Sequence, residues 1–510
     1  MVPDILKNLE KMPQTPNGKT DLKALANEPV EYVRSYKKPI SHREVTVCRA
    51  FEEILGIEKV GLEDNFFELG GSSLDAANAL LEIETRLNLE EGKLDFGDLY
   101  KYPSPALLLE KIYGDAAEDN GFDLETLNYD GIDEFIKART NDKVNKKKLG
   151  NVLLTGVTGY LGIHLLIDLL ERPDICDKIV CLARPNKRLT AERRVKANLF
   201  YFSEEDYSEG YGEKWMVAEG DITNPDIFTQ GCDIHFDTII NSAANVAHFA
   251  YGDTLTRINT DGVKNLIAFA KKQGATLCQV STISVAGSAK SIDGIQFTER
   301  DFYIGQRIHN SYIYSKYMAE HAMLRAAVDD GLDVKFMRVG NLQGRIKDGE
   351  FQMNIHSNAF TRRMASYIKV GAVPESIYGA TVNFSPVDET AHNIISLCAT
   401  DNSTVAFHIY PAREVAFKAL FDGLAKLGYN VEVLSDDDFA ALVKEKKHTD
   451  EGREQLEGLF TGGIEGGLRD IPVVQPLTDS YIRQLGDSWS EITPEYLDKY
   501  LSALDGMDLF

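Results

Sequence analysis

Residues 151–170 read NVLLTGVTGYLGIHLLIDLL. Val152, Leu153 and Leu154 lead through Thr155 to Gly156, glycines recur as G-x-x-G-x-x-G, and an apolar helical pattern continues from Ile163. The spacing predicts a strand, a tight turn and a helix. Residues without a Cβ let a backbone approach a pyrophosphate, and the N–H groups at a helix start face its charge. Gly156, Thr158, Gly159, Tyr160, Leu161 and Gly162 are the candidate contacts. The glycine spacing alone also suits a turn that binds nothing, so its neighbours decide the reading.

Downstream, strand-like runs alternate with helical patterns: KIVCLAR from 178, WMVAEGD from 215, DTIINSAA from 237, TLCQVSTISV from 276 and DVKFMRVG from 333. Such alternation predicts a parallel sheet with helices on both faces and a ligand at the carboxyl ends of the strands. The second strand ends in Arg184, 22 residues beyond Gly162. An acidic residue there would bond the free ribose hydroxyl of NAD. Instead Arg184, Lys187, Arg188, Arg193 and Arg194 concentrate positive charge. A solvated basic helix start is the plainer account, but the position after strand two favours a 2′-phosphate and so NADPH. Asp221 and Ile222 end the third strand where adenine would lie, and Asn241 to Ala244 end the fourth, with Ala243 and Ala244 beside the cofactor.

Tyr312 and Lys316 are spaced Y-x-x-x-K in NSYIYSKYMAEHAML, one helical turn apart on one face. A free tyrosine has a pKa of about 10, and a nearby ammonium favours the phenolate, which eases proton donation and recovery. Tyr314 and Tyr317 lack a lysine at the fourth following position. Thr282 ends the fifth strand in VSTISVAG. This arrangement resembles the extended short-chain dehydrogenase/reductase family. The resemblance implies a Rossmann fold and a catalytic group of Thr282, Tyr312 and Lys316, with Asn259, in RINTDGVKNLI, helping to hold Lys316 and a relay water. The S/T-x-x-V-x-G register favours Thr282 over Ser281 and Ser284. Asn341 is a candidate nicotinamide or substrate neighbour; Phe384 and Pro386 could line a pocket, although packing explains both.

Toward the N-terminus, Ser41 with Glu44 reads as a capping box opening an apolar helix. DNFFELGGSSLDAANALLEIE follows at 64–84, with a glycine turn and Ser73 at the next helix start, where a serine could simply be a cap. The segment D-N-F-F-E-L-G-G-x-S-L closely resembles peptidyl carrier domains, and DFGDLYKYPSPALLLEKI lies where that four-helix bundle has a further helix. The resemblance implies that Ser73 carries a covalent 4′-phosphopantetheine attached by a phosphopantetheinyl transferase. Ser72 stands where the family often has Asp or His. Earlier still, PQTPNGKTD at 13–21 resembles the final motif of adenylation domains. The remainder of such a domain lies outside the sequence, so Lys19 is expected to be inert and the chain to be cut from a longer enzyme.

The expected organisation is multidomain: an adenylation remnant at 1–34, a four-helix carrier at 41–115, a linker at 116–148 and an α/β reductase at 149–510, whose smaller mixed substrate and docking subdomain lies mainly in 342–510. At 510 residues several cores are expected. A net charge of −24 argues against nucleic acid and anionic membrane as partners. Six cysteines form no C-x-x-C pair, the histidines show no metal spacing, and there is no G-x-S-x-G elbow. No apolar run could span a bilayer and no signal peptide opens the chain. A soluble, cytoplasmic monomer with no metal is expected.

Carrier followed by reductase resembles the terminal thioester reductase of nonribosomal peptide synthetases, and also aminoadipate and carboxylic acid reductases. That resemblance implies NADPH-dependent reductive release of an aminoacyl or peptidyl thioester, as aldehyde or alcohol, downstream of adenylation and condensation domains of one assembly line. Redox-independent release by condensation, a nucleotide-sugar epimerase or dehydratase, and an inert scaffold are the alternatives. The first lacks the tyrosine present here, and the second has no use for Ser73.

Overall fold

A computed structural model describes residues 36–510 except 88, 90–92, 95–96, 114–121, 140–142, 204, 229–233, 247–254, 447–448, 460–468 and 508. Lys19, the stretch 1–34 and Cys232 lie outside the described residues.

The N-terminal bundle starts with helix α1 (His42–Leu55). The Ser41 hydroxyl accepts from the Glu44 N–H at 3.2 Å, and the Glu44 carboxylate accepts from the Ser41 N–H at 2.7 Å. Helix α2 is Ser73–Leu87. The expected third helical run is two helices, α3 (Asp98–Lys101) and α4 (Pro105–Tyr113). Pro103 and Pro105 divide it, because proline cannot donate into a helix interior. Phe51, Phe66, Leu80 and Leu108 fill the bundle core, with the Phe51 and Phe66 rings edge-on at 4.7 Å. A Cβ on Gly71 would lie 2.3 Å from the Phe66 ring, so the turn before α2 needs glycine.

Residues 122–139, inside the expected linker, pack on the reductase. Phe122 stacks on Tyr314 at 4.1 Å, the Tyr129 and Tyr317 hydroxyls share a hydrogen bond of 2.9 Å, and helix α5 (Ile132–Arg139) buries Ile132 and Ile136 in the core beneath. The hydrophobic residues of FDLETLNYDGIDEFI supply that face.

The reductase sheet has seven parallel strands: β1 (Asn151–Thr155), β2 (Lys178–Ala183), β3 (Trp215–Glu219), β4 (Thr238–Asn241), β5 (Thr276–Thr282), β6 (Val334–Val339) and β7 (Ala406–Ile409). Their order is β7-β6-β5-β4-β1-β2-β3, and every ladder is parallel. The order reverses between β1 and β4, which opens a crevice at their carboxyl ends. Helix α6 (Tyr160–Glu171) follows β1, α7 (Ala191–Phe202) follows β2, α8 (Gly262–Gln273) precedes β5, and α9 (Ser311–Asp330) precedes β6. α6 is apolar on all sides because it lies between the sheet and helix α10 (Val387–Cys398).

A smaller unit follows β6. Phe351, Met364, Phe384, Leu420, Tyr496 and Tyr500 form its core, and the Tyr496 and Tyr500 hydroxyls bond the Gly344 carbonyl at 2.7 Å and the Gln343 side chain at 2.6 Å. Under β6, the Arg338 guanidinium meets Glu320 of α9 at 2.7 Å and donates to His408 Nε2 of β7 at 3.2 Å, all three buried. That donation leaves His408 Nδ1–H to donate to the Val474 carbonyl at 2.7 Å. Burial, reinforced by Arg338, pushes His408 down to about 3, so it is neutral.

Both tryptophans, Trp215 and Trp489, lie in the reductase, so their fluorescence follows its unfolding alone. Ile132→Ala is expected to lower reductase stability by about 2–5 kcal/mol in urea titrations read by that fluorescence; an unchanged midpoint would show that the strap at 122–139 contributes nothing to it.

Candidate functional site

At the carboxyl end of β1, Gly156 adopts φ +74°, and a Cβ there would lie 2.3 Å from the Ala243 nitrogen. A Cβ on Gly162 would lie 2.1 Å from the Gly156 carbonyl oxygen. The turn therefore brings β1, the start of α6 and the end of β4 into backbone contact, with Gly159 as the helix cap. This is a cradle with room for a pyrophosphate against unpaired helix N–H groups, and it fits a dinucleotide. Thr158 is tied down by Asn198 of α7, whose side-chain amide donates to its carbonyl at 3.1 Å. Tyr160 and Leu161 present only their backbone to this cradle. The Tyr160 hydroxyl reaches the Gln343 and Glu350 carbonyls at 3.0 and 3.1 Å, and Leu161 is in the core.

After β2, Arg184 pairs with Asp221 at 3.2 Å, and Arg194 of α7 donates to the Arg184 carbonyl. Burial and the neighbouring Arg184 charge hold Arg194 below the usual arginine range. Burial raises the Asp221 carboxyl, but bonds from Thr223 and Arg184 outweigh it and hold the carboxyl down. Ile222 is buried and packs where a Cβ on Gly262 would be, 2.8 Å away. Ala243 and Ala244 remain partly exposed at the end of β4, and Asn341, just beyond β6, donates its N–H to the Asn383 side chain at 2.9 Å.

Thr282, the last residue of β5, accepts at its hydroxyl from the Ser284 N–H at 3.2 Å, which leaves the hydroxyl proton free to be donated. On α9, Asn310 caps the helix through the Ile313 N–H at 3.1 Å, and this sets Tyr312 in the first turn. Lys316 is 3% exposed, and its ammonium donates to the Val280 carbonyl at 3.0 Å. It lies 6.0 Å from the centre of the Tyr312 ring. Burial lowers Lys316 to about 8 against the field of Glu320, and burial raises Tyr312 to about 12. Desolvation prevails, and Tyr312 is a neutral phenol near pH 7.

Asn259 makes no direct hydrogen bond to Lys316 among the described residues. It sits in the π-helical turn Thr256–Asp261, exchanges bonds with Asn245 at 2.8 and 2.9 Å, and donates to Ser315 of α9 at 2.9 Å. Ser315 in turn donates to the Tyr312 carbonyl at 2.7 Å. Asn259 therefore steadies the helix carrying Tyr312 and Lys316, with Ser315 between. Ser315 and Gln279 belong to no motif; the one signal was a polar residue inside an apolar run, TLCQVST for Gln279.

In the carrier, Ser72 is the cap of α2. Its N–H and hydroxyl donate to the Asp75 carboxylate at 2.8 and 2.6 Å, and its oxygen accepts from the Asp75 N–H at 3.2 Å. Ser73 is the first helical residue.

A family profile described as male sterility protein matches residues 154–394, and one described as a phosphopantetheine attachment site matches 45–112. The solved structure of a thiolation-reductase di-domain from an archaeal non-ribosomal peptide synthetase is 32% identical, with a TM-score of 0.81 over 93% of this chain and 99% of that one. This chain belongs to the thiolation–reductase di-domains of nonribosomal peptide synthetases. A linear gramicidin synthase of Brevibacillus parabrevis is 27% identical over 98% of the chain and 10% of its own length. Isonitrile lipopeptide synthase of Mycobacterium tuberculosis is 30% identical over 74% of the chain and 16% of its own length. The di-domain thus spans a small part of these curated relatives. It joins a phosphopantetheine-type carrier to a nicotinamide-dinucleotide-binding reductase. Among the described residues no helix is long and apolar enough to cross a membrane, and no group of three or more metal-ligating side chains is present.

Lys316 is cationic below about pH 8 and loses its charge above it, whereas Tyr312 keeps its proton up to about 12. Dinucleotide-dependent turnover of this di-domain is expected to be level below about pH 8 and then to fall roughly tenfold per pH unit. A profile still level at pH 10 would contradict a charged Lys316 in the reaction.

Proposed function

We propose that this di-domain releases a carrier-bound aminoacyl or peptidyl thioester reductively, using NADPH. The observation that carries the reading is the assembly of a Thr282 hydroxyl, a neutral Tyr312 phenol and a buried Lys316 at the carboxyl end of a dinucleotide-type sheet, in a chain whose carrier has Ser73 at the start of α2.

When bound, the reduced nicotinamide supplies a hydride to the thioester carbonyl carbon. Thr282 and Tyr312 donate hydrogen bonds to the carbonyl oxygen, where negative charge grows as the hydride arrives. A phenol held protonated by burial is the competent donor for that oxygen. Lys316 would hold the nicotinamide ribose, and it puts positive charge near Tyr312. The glycine turn at 156–162 would hold the pyrophosphate, Arg184 and Arg194 would hold the 2′-phosphate, and Asp221, Ile222, Ala243, Ala244 and Asn341 would border the rest of the cofactor. In the balance, one hydride and one proton convert the thioester to an aldehyde and the free carrier thiol. A second hydride and proton would give an alcohol.

The serine that carries the arm is Ser73, loaded by a phosphopantetheinyl transferase, and the acyl group comes from upstream adenylation and condensation domains of the same assembly line. The domain limits read from the sequence are retained in this proposal, with the strap at 122–139 assigned to the reductase.

With Ser73 loaded with a simple peptidyl thioester, NADPH oxidation with release of aldehyde or alcohol is expected, absent in Ser73→Ala and reduced about 10²-fold or more in Tyr312→Phe. Thioester loss with NADPH unconsumed would instead establish redox-independent release. Replacing both Arg184 and Arg194 by Ala should weaken NADPH binding about 10-fold or more and leave NADH binding nearly unchanged; equal losses for both dinucleotides would refute the 2′-phosphate assignment.

A further inference from the structure

Three buried polar side chains run across the sheet from the carboxyl ends of β1 and β4 to the middle of β5. The Thr155 hydroxyl donates to Asn241 Oδ1, Asn241 Nδ2 donates to Gln279 Oε1 at 2.7 Å, and Gln279 Nε2 donates to the Val280 carbonyl at 2.8 Å. That carbonyl is the one that receives Lys316, at 3.0 Å. Thr155 and Asn241 are fully buried and Gln279 is 1% exposed. Both carboxamides have their orientation dictated by their neighbours. The Ala243 N–H can only donate, and it meets Asn241 at 3.1 Å, so the receiving atom is Oδ1. Nδ2 therefore faces Gln279, the atom it meets is Oε1, and Nε2 is left for Val280.

The donors run one way from Thr155, the residue before Gly156, to the Val280 carbonyl, and Lys316 donates to that same oxygen from the other side. The chain of donors also joins the two ends of the cofactor slot, because Ala243 is the residue that a Cβ on Gly156 would strike. A carbonyl oxygen has two lone pairs. Gln279 takes one and Lys316 the other, so the carbonyl is saturated and held in place, and the remaining ammonium protons are left for other acceptors. Glu320, on the same helix, is committed to Arg338. Two carboxamides in the middle of a buried sheet cost more than Val or Leu would unless each bond is made, and a satisfied network of this kind specifies one geometry.

We propose that Gln279, with Asn241 and Thr155 behind it, is a positioning residue that sets Lys316 relative to the glycine cradle. This rests on the role given to Lys316 under the proposed function. Gln279→Met keeps the volume and removes both bonds, and Thr155→Val removes only the first link. Two readouts are taken on the full chain. Without substrate, titration with NADPH gives its dissociation constant and the emission wavelength of the bound nicotinamide. With Ser73 loaded, turnover is measured at saturating NADPH and with NADPH deuterated at the transferred position.

For Gln279→Met the expected result is an emission shift toward that of free NADPH with affinity changed less than about threefold, and turnover lower by about tenfold or more with a larger isotope effect, since small misplacement of reacting groups costs much more in rate than in binding. Thr155→Val should show the same pattern, weaker. Unchanged emission in both variants would overturn the proposal, as would a turnover loss that vanishes at saturating NADPH. If the unsubstituted chain binds NADPH but reduces nothing, the proposed function fails while the emission arm still decides this inference. If Gln279→Met does not fold, Thr155→Val decides it by the same two readouts.

Discussion

The close approach of the turn after β1 to its neighbours governs the carboxyl end of the sheet. A Cβ at Gly162 would stand 2.1 Å from the Gly156 oxygen, and a Cβ at Gly156 would stand 2.3 Å from the Ala243 nitrogen. Only backbone fits there. α6 can therefore settle onto β1 and β4 with its first N–H groups converging on the crevice, and its apolar surface is buried between the sheet and α10. Each large apolar side chain so buried contributes about 1.5–3 kcal/mol. The turn that makes the crevice is thus secured by the core beneath it.

Desolvation sets the chemistry of what faces that crevice. Lys316 and Tyr312 are pushed in opposite senses, the lysine down to about 8 and the tyrosine up to about 12, and each shift favours the uncharged form. Burial lowers the lysine only to about 8, against the opposing field of Glu320, so it stays cationic near pH 7. Deeper under the sheet, Arg338 and Glu320 are both buried and are compensated by each other, His408 and the Asp301 carbonyl. An unpaired charge there would cost several kcal/mol, so the pair ties α9 to β6 and β7 and fixes the helix that carries Tyr312.

Several functional elements are local and were readable from the chain. The strand–turn–helix at 151–170, the Y-x-x-x-K spacing, the threonine closing β5 and the alternation that builds the sheet follow from periodicity and spacing. Six of the seven strands lie where those patterns put them, whereas the edge strand β7 and the order of the strands were not read from the sequence. Other features depend on residues far apart in sequence. FDLETLNYDGIDEFI reads as linker because its partners, Tyr314 and Tyr317, lie nearly 200 residues away. Asn259 bonds Ser315 directly because α9 presents the serine to the π-helical turn.

By itself the sequence determined the two domain types, the dinucleotide turn and the candidate groups Ser73, Thr282, Tyr312 and Lys316, because each is written in a contiguous pattern of residue type and spacing. Tertiary structure alone decided that Tyr312 is a phenol and that Gln279 shares a carbonyl with Lys316. Protonation state and hydrogen-bond partner depend on which groups are removed from water together. That is settled only when strands and helices distant in the chain have packed.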